Sequence, residues 1–131
     1  MSFKEKYGPN VAIIGASADR EKYSNKAVRA FADAGYNVYP INPKEQMIEG
    51  HKAYHTVMDV HDKIDFASLY LNPDTALASR IPEQLRDKTI EMAILNPGAA
   101  NDELVQKLKS YKIEVQMICS LMALGADPEE F

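Results

Sequence analysis

Short unbroken apolar runs alternate along this chain with stretches whose apolar residues fall three and four apart, so strand and helix periods take turns from one end to the other. Val11 to Ile14 is a continuous apolar run, as expected of a central strand buried on both faces. Between Ser24 and Ala34, residues Ala27, Val28, Phe31 and Ala34 keep helical spacing, with Ser24 as the expected N-cap and Gly35 as the stop. Val38 to Ile41 is the second strand. A turn-rich stretch with Gly50 and the histidines follows, including a short extended piece around Ala53. Asp65 to Leu71 is the third strand, closed by Asn72-Pro73. The helix after it starts near Asp74, and Pro82 divides it into two short pieces. Glu91 to Leu95 is the fourth strand and ends in Asn96-Pro97-Gly98. The next helix is capped by Asn101, carries Asp102 and Glu103 in its positive first turn, and has Lys107 and Lys109 near its negative end. Ile113 to Ile118 alternates apolar and polar residues, the pattern of a half-exposed edge strand, and Gly125 to Phe131 reads as a tail.

Strand and helix in alternation predict an α/β fold of three layers, a five-stranded parallel sheet with helices on both faces. Right-handed crossovers and a reversal after the third strand predict the order 3-2-1-4-5.

At 131 residues the chain is one domain's worth, and 1–131 is read as a single unit. The net charge of −4 is mild and the charges are mixed, with none of the basic stripe that a nucleic-acid binder carries. The apolar runs are strand-sized, and Met1 to Lys6 is polar rather than signal-like, so neither membrane nor export is expected. A single cysteine, Cys119, excludes an internal disulfide and suits a reducing cytoplasm.

In an open parallel sheet ligands bind outside the carboxyl ends of the strands. Those ends are Gly15-Ala16-Ser17, Asn42-Pro43-Lys44, Leu71-Asn72-Pro73, Asn96-Pro97-Gly98 and Cys119. The first strand runs into its glycine turn as a dinucleotide-binding βαβ unit does, although a bare tight turn would use the same residues. Gly15 lets the backbone approach a phosphate, Ser17 offers a hydroxyl, and the helix that follows adds its positive end. Lys22 and Tyr23, in the loop between, are candidates for a phosphate and for packing on a ring or pantetheine arm, or form an ordinary solvated loop. An NAD site would end the second strand in a carboxylate for the ribose hydroxyls. Lys44 puts a cation there, which suits a ligand with an extra phosphate near its ribose: NADP or coenzyme A. A nicotinamide dehydrogenase also needs a substrate domain, for which 131 residues leave no room. His51 and His55 are four apart in a segment without helical pattern or third ligand, so no metal site is expected; His61 reads as a surface residue. Cys119 is the one strong nucleophile, and a lone cysteine is also commonly a small buried hydrophobe.

Several of these segments together resemble a known family, the small stand-alone CoA-binding proteins of bacteria and archaea, which are similar to the N-terminal domain of the succinyl-CoA synthetase alpha subunit. The resemblance runs from about Asn10 to Cys119. It is carried by Val-Ala-Ile-Ile-Gly-Ala-Ser, by Gly35 to Lys44 with its Pro-Ile-Asn-Pro-Lys, by Gly50, Tyr54 and Ile64, by the Asn-Pro-Gly after the fourth strand, and by the cysteine after the fifth. It implies a Rossmann-like fold and coenzyme A or an acyl-CoA as ligand. Gly15, Ala16 and Ser17 would then hold the diphosphate, and Asn42, Pro43 and Lys44 would face the adenosine with its 3′-phosphate. Asn72, Pro73, Asn96 and Gly98 would line the pantetheine path. The chain departs from the family at Ser24, where a glycine is common, and in the uncharged Ser120 to Ala123. The synthetase's second domain, which holds its catalytic histidine, has no counterpart here, so binding without catalysis is the expectation. An NADP-dependent oxidoreductase fragment and a protein-interaction module on the same scaffold are the rival readings.

Overall fold

The structure, a computed structural model, describes residues Met1–Phe131. Its main sheet is built from β1 (Asn10–Ile14), β2 (Asn37–Ile41), β5 (Phe66–Leu69), β6 (Met92–Leu95) and β7 (Glu114–Gln116), all parallel. A small antiparallel hairpin, β3 (Met47–Ile48) with β4 (His51–Lys52), stands after β2. The helices are α1 (Phe3–Lys6), α2 (Tyr23–Asp33), α3 (Pro73–Ala78), α4 (Ile81–Asp87), α5 (Asp102–Ser110) and α6 (Ser120–Ala123).

Alternate residues of each strand feed two separate cores. Ala12, Ile14, Ala67, Leu69, Ala93 and Leu95 pack under α3, α4 and α5. Val11, Ile13, Phe66, Met92 and Ile94 pack under α2, with Phe3, Tyr7 and Leu124 against them. Both faces being covered is why Val11–Ile14 carries no polar residue. Phe66 centres the second core, within 6.1 Å (ring centroids) of Phe3, Tyr7, Phe31 and Tyr36.

The strand order differs from expectation. It is β2-β1-β5-β6-β7, or 2-1-3-4-5 for the five parallel strands, so the chain reverses after the second strand and not the third. Pro40 supplies the reason. A proline has no amide hydrogen for a ladder, so it belongs on an edge strand, and the expected order would have made β2 internal. The Pro40 carbonyl faces the open side and accepts from the Tyr54 amide at 2.9 Å, while Asn42 N–H donates to the Tyr54 carbonyl at 2.9 Å. β5, buried at all four positions, takes the central place beside β1.

Smaller expectations also shift. Ser24 lies inside α2, buried, and the N-cap position is Lys22, which makes no side-chain cap bond. The last residues are a short 3-10 turn packed back onto α2 rather than a free tail: Lys26 Nζ donates to the Pro128 carbonyl at 2.8 Å, and the Arg29 guanidinium sits 5.9 Å from the Phe131 ring centre. The two-piece helix divided near Pro82, the Asn101 cap and the β7 edge stand as expected.

Candidate functional site

Reversal after β2 puts the crevice of the sheet between the ends of β1 and β5. At the end of β1 the chain turns at Gly15 with φ +86°, and a Cβ there would lie 3.0 Å from Leu71 Cδ2 and 3.3 Å from the Tyr70 carbonyl carbon. The turn therefore needs glycine for its own packing. The Gly15 and Ala16 amides both donate to the Ile41 carbonyl, at 3.2 and 3.1 Å. Ser17 Oγ accepts from the Asp19 amide at 3.0 Å. Beneath this loop Asn25, wholly buried, donates from Nδ2 to the Ser17 carbonyl (2.9 Å) and to Glu49 Oε2 (3.1 Å) and accepts at Oδ1 from Arg29 Nε (2.8 Å). Arg20 pairs with the same Glu49, so the loop after β1 is tied to the β3–β4 turn. Lys22 is exposed at the start of α2, and Tyr23 is 52% exposed with Lys26 Nζ 5.5 Å from its ring centre.

Three strand ends carry the same dipeptide, Asn-Pro, and each asparagine does different work. Asn42 Nδ2 donates to the Ala16 carbonyl at 2.8 Å, and its Oδ1 accepts from the Lys44 and Glu45 amides at 2.7 and 2.9 Å, so it clamps the glycine turn and shapes the bend that presents Lys44. Lys44 itself is exposed and makes no ion pair within the chain. Asn72 caps α3 by accepting from the Asp74 amide at 2.8 Å, with Pro73 in the first turn. Asn96 is 2% exposed: Nδ2 donates to Ser68 Oγ (2.8 Å) and to the Leu69 carbonyl (2.9 Å), and Oδ1 accepts from the Ser120 amide (2.8 Å). It joins β5, β6 and α6 inside the core. Beside it Ser68 and Ser120 share a hydrogen bond of 2.8 Å, and the Tyr70 hydroxyl is buried without a partner. Burial pushes the Tyr70 phenol up to about 12.

Two clefts open on this carboxyl edge. One, of about 310 Å³, is walled by Ile14, Gly15, Ile41, Pro43 and Leu71 on the sheet side and by His55, Thr56, Thr75, Ser79, Ile81 and Gln84 on the other. The second, of about 330 Å³, lies over the ends of β6 and β7 and is lined by Asn96, Pro97, Gly98, Met117 and Cys119 among others. At Gly98, φ is +90° and a Cβ would meet nothing within 4 Å, so the backbone there borders open space. Cys119 is half-buried and faces this second cleft, not the core. His55 and Cys119, a potential base and nucleophile, line different clefts.

These features sit in a chain that matches the CoA binding domain family model over residues 9–126. The chain belongs to that family. It is 33% identical over 107 residues to an ADP-forming acetate–CoA ligase of Methanocaldococcus jannaschii, covering 79% of this chain and 15% of the ligase. It is 24% identical to the uncharacterized protein YneT of Bacillus subtilis, covering 76% of this chain and 72% of that one. Among solved structures, a hypothetical protein from Pyrococcus horikoshii superposes with a TM-score of 0.84 at 27% identity, over 92% of this chain and 84% of its own. A dinucleotide-forming acetyl-coenzyme A synthetase from Ca. Korarchaeum cryptofilum, in complex with phosphate and ADP, superposes with a TM-score of 0.73 at 28% identity, over 86% of this chain and 26% of that one. This family's domain is thus a small part of the long ligases and most of the short relatives.

The sequence-expected residues fall into three groups. Gly15 and Pro43 meet at the first cleft; Asn96, Pro97, Gly98 and Cys119 meet at the second; Ala16, Ser17, Lys22, Tyr23, Asn42, Lys44, Asn72 and Pro73 lie outside both linings. Sequence reasoning missed the far wall of the first cleft, above all Gln84, because nothing in an Ile-Pro-Glu-Gln-Leu-Arg-Asp helix marks one polar residue as inward. No cluster of three His, Cys, Asp or Glu side chains is placed to hold a metal, and no helix is long and apolar enough to cross a membrane.

Proposed function

We propose that this protein, as a single domain working in the cytoplasm, binds coenzyme A or an acyl-CoA along the carboxyl edge of its sheet and has no catalysis of its own. The observation that carries this reading is the pair of clefts on one sheet edge of a chain in the CoA binding domain family. A long ligand with an aromatic head and a narrow arm suits two such spaces with a glycine turn nearby. Gly15, Ala16 and Ser17 would hold the diphosphate, with Lys22 meeting a phosphate and Tyr23 packing on the adenine or the pantetheine arm. Asn42, Pro43 and Lys44 would face the adenosine and its 3′-phosphate. Asn72, Pro73, Asn96, Pro97 and Gly98 would border the pantetheine, whose thiol would end near Cys119. The clefts present amides, hydroxyls, one imidazole and one thiol, with the last two in separate spaces, an arrangement for recognition. Ligase activity is named for whole proteins of which this chain spans only 15% in one case, so it is not carried over. The family match favours CoA over NADP, although Lys44 would serve either extra phosphate.

Calorimetry with CoA, 3′-dephospho-CoA, NADP and NAD tests this. CoA should bind tightest, and Lys44→Ala should reduce it to the dephospho-CoA level, a loss of about 1.5–3 kcal/mol for a charge-assisted contact. Equal affinity for CoA and dephospho-CoA removes Lys44 from the role, and a preference for NADP overturns the ligand.

A further inference from the structure

The guanidinium of Arg29 pairs with no carboxylate, and its donors go to two neutral acceptors instead. Nε donates to Asn25 Oδ1 at 2.8 Å, and Nη2 donates to the Arg20 carbonyl at 3.0 Å. Asn25 is wholly buried. With its oxygen held by Arg29, its amide nitrogen faces the other way and donates to the Ser17 carbonyl at 2.9 Å and to Glu49 Oε2 at 3.1 Å. One planar fork therefore fixes the loop after β1 at two points, at Ser17 through Asn25 and at Arg20 directly. The loop has little else to hold it: Asp19, Arg20, Glu21 and Lys22 are all exposed and belong to no helix or strand. The same guanidinium lies 5.9 Å from the Phe131 ring centre, and one turn earlier Lys26 Nζ donates to the Pro128 carbonyl at 2.8 Å, so the C-terminal 3-10 turn (Pro128–Glu130) braces α2 where Arg29 leaves it.

We infer that Arg29 is a positioning residue for the loop proposed to hold the diphosphate, acting through Asn25 and Arg20 without touching the ligand. This rests on the CoA-binding reading, which gives Gly15, Ala16 and Ser17 to the diphosphate. A loop already held in one shape loses less freedom when a ligand settles on it, so the hold raises affinity without adding a contact. The charge of Arg29 also attracts any anion at a distance, and the two effects must be separated. Lysine keeps the charge and lacks the planar fork, so Arg29→Lys preserves the attraction and breaks the hold.

Two measurements on this variant and the wild-type protein test the role. Within the loop the Asp19, Glu21 and Lys22 amides donate to Ser17 Oγ, Asp19 Oδ1 and the Asp19 carbonyl at 3.0, 3.0 and 3.1 Å, so their hydrogen exchange, followed by NMR without ligand, reports loop opening. In Arg29→Lys these amides should exchange several-fold faster while those of Val11 to Ile14 in β1 keep their rates. Calorimetry should then show CoA and 3′-dephospho-CoA weakened by one common factor, about 3- to 10-fold, since both carry the diphosphate. Phe131→Ala, which removes the ring beside the guanidinium and leaves the fork, should give the same pattern at smaller size. Unchanged exchange in the loop overturns the inference, and so does faster exchange with unchanged affinity. Acceleration spread equally over β1 and the loop reduces Arg29 to general stability, and a loss confined to CoA moves it to the 3′-phosphate; either result also overturns the inference. If the wild-type protein binds no CoA, the binding reading fails and the ligand role of Arg29 with it, while the exchange rates still decide whether Arg29 holds the loop.

Discussion

Asn72 and Asn96 stand in the same local sequence, Leu-Asn-Pro after an apolar strand, and removing their side chains should have very different costs. Asn72→Ala deletes one exposed helix cap, worth about 1 kcal/mol. Asn96→Ala deletes three buried hydrogen bonds. The Leu69 carbonyl keeps the Asn96 amide at 3.3 Å, and Ser68 Oγ keeps Ser120 Oγ, so neither is wholly orphaned. The Ser120 amide loses its acceptor inside the core, at about 1–3 kcal/mol, and the lost bonds add to that. The expected total is about 3 kcal/mol. At an m-value of about 2 kcal/mol per molar urea, the unfolding midpoint should fall by about 1.5 M, against about 0.5 M for Asn72→Ala. Equilibrium urea unfolding of the two variants and the wild type measures this directly. A double-mutant cycle with Ser68→Ala should be non-additive, since the two side chains share a bond. Equal costs for the two alanine variants, or full additivity with Ser68→Ala, would refute the claim that Asn96 joins β5, β6 and α6.

Further outcomes follow from the same geometry. Gly15→Ala should lower thermal stability more than Gly98→Ala, because both need a positive φ but only Gly15 also presses on Leu71; similar melting temperatures would mean that Leu71 yields freely. Burial raises the phenols of Tyr70 and Tyr39 to about 12 from an ordinary 10, so the folded state holds these protons longer than the unfolded chain. Stability present below pH 10 should therefore be lost between pH 10 and 12, and Tyr70→Phe should flatten that fall in unfolding free energy measured across the range. Cys119, half-buried at the second cleft, should be alkylated by iodoacetamide in the native protein and protected by CoA; unchanged labelling rates would put the pantetheine thiol elsewhere.

The elements were legible because their signals are local. Val11–Ile14 needs no distant partner to declare a strand buried on both faces, and Asn101, Gly35 and Pro82 punctuate helices through their own backbones. Pro40 was also legible and carried more than its segment: a proline in the second strand already argues for an edge, which the order 3-2-1-4-5 overlooked. Ser24 misled because a good capping residue sits one residue past the actual helix start at Tyr23.

What the sequence by itself determined is the succession of strands and helices, the parallel sheet with two cores, and the line of turn residues along one edge. Only the tertiary structure decided which strand lies beside which, and what three identical Asn-Pro pairs do. The physical reason is reach. Periodicity and caps depend on residues within a few positions, whereas Asn96 finds its partners at Ser68 and Ser120, 28 and 24 residues away, and Lys26 finds its own at Pro128, 102 residues away.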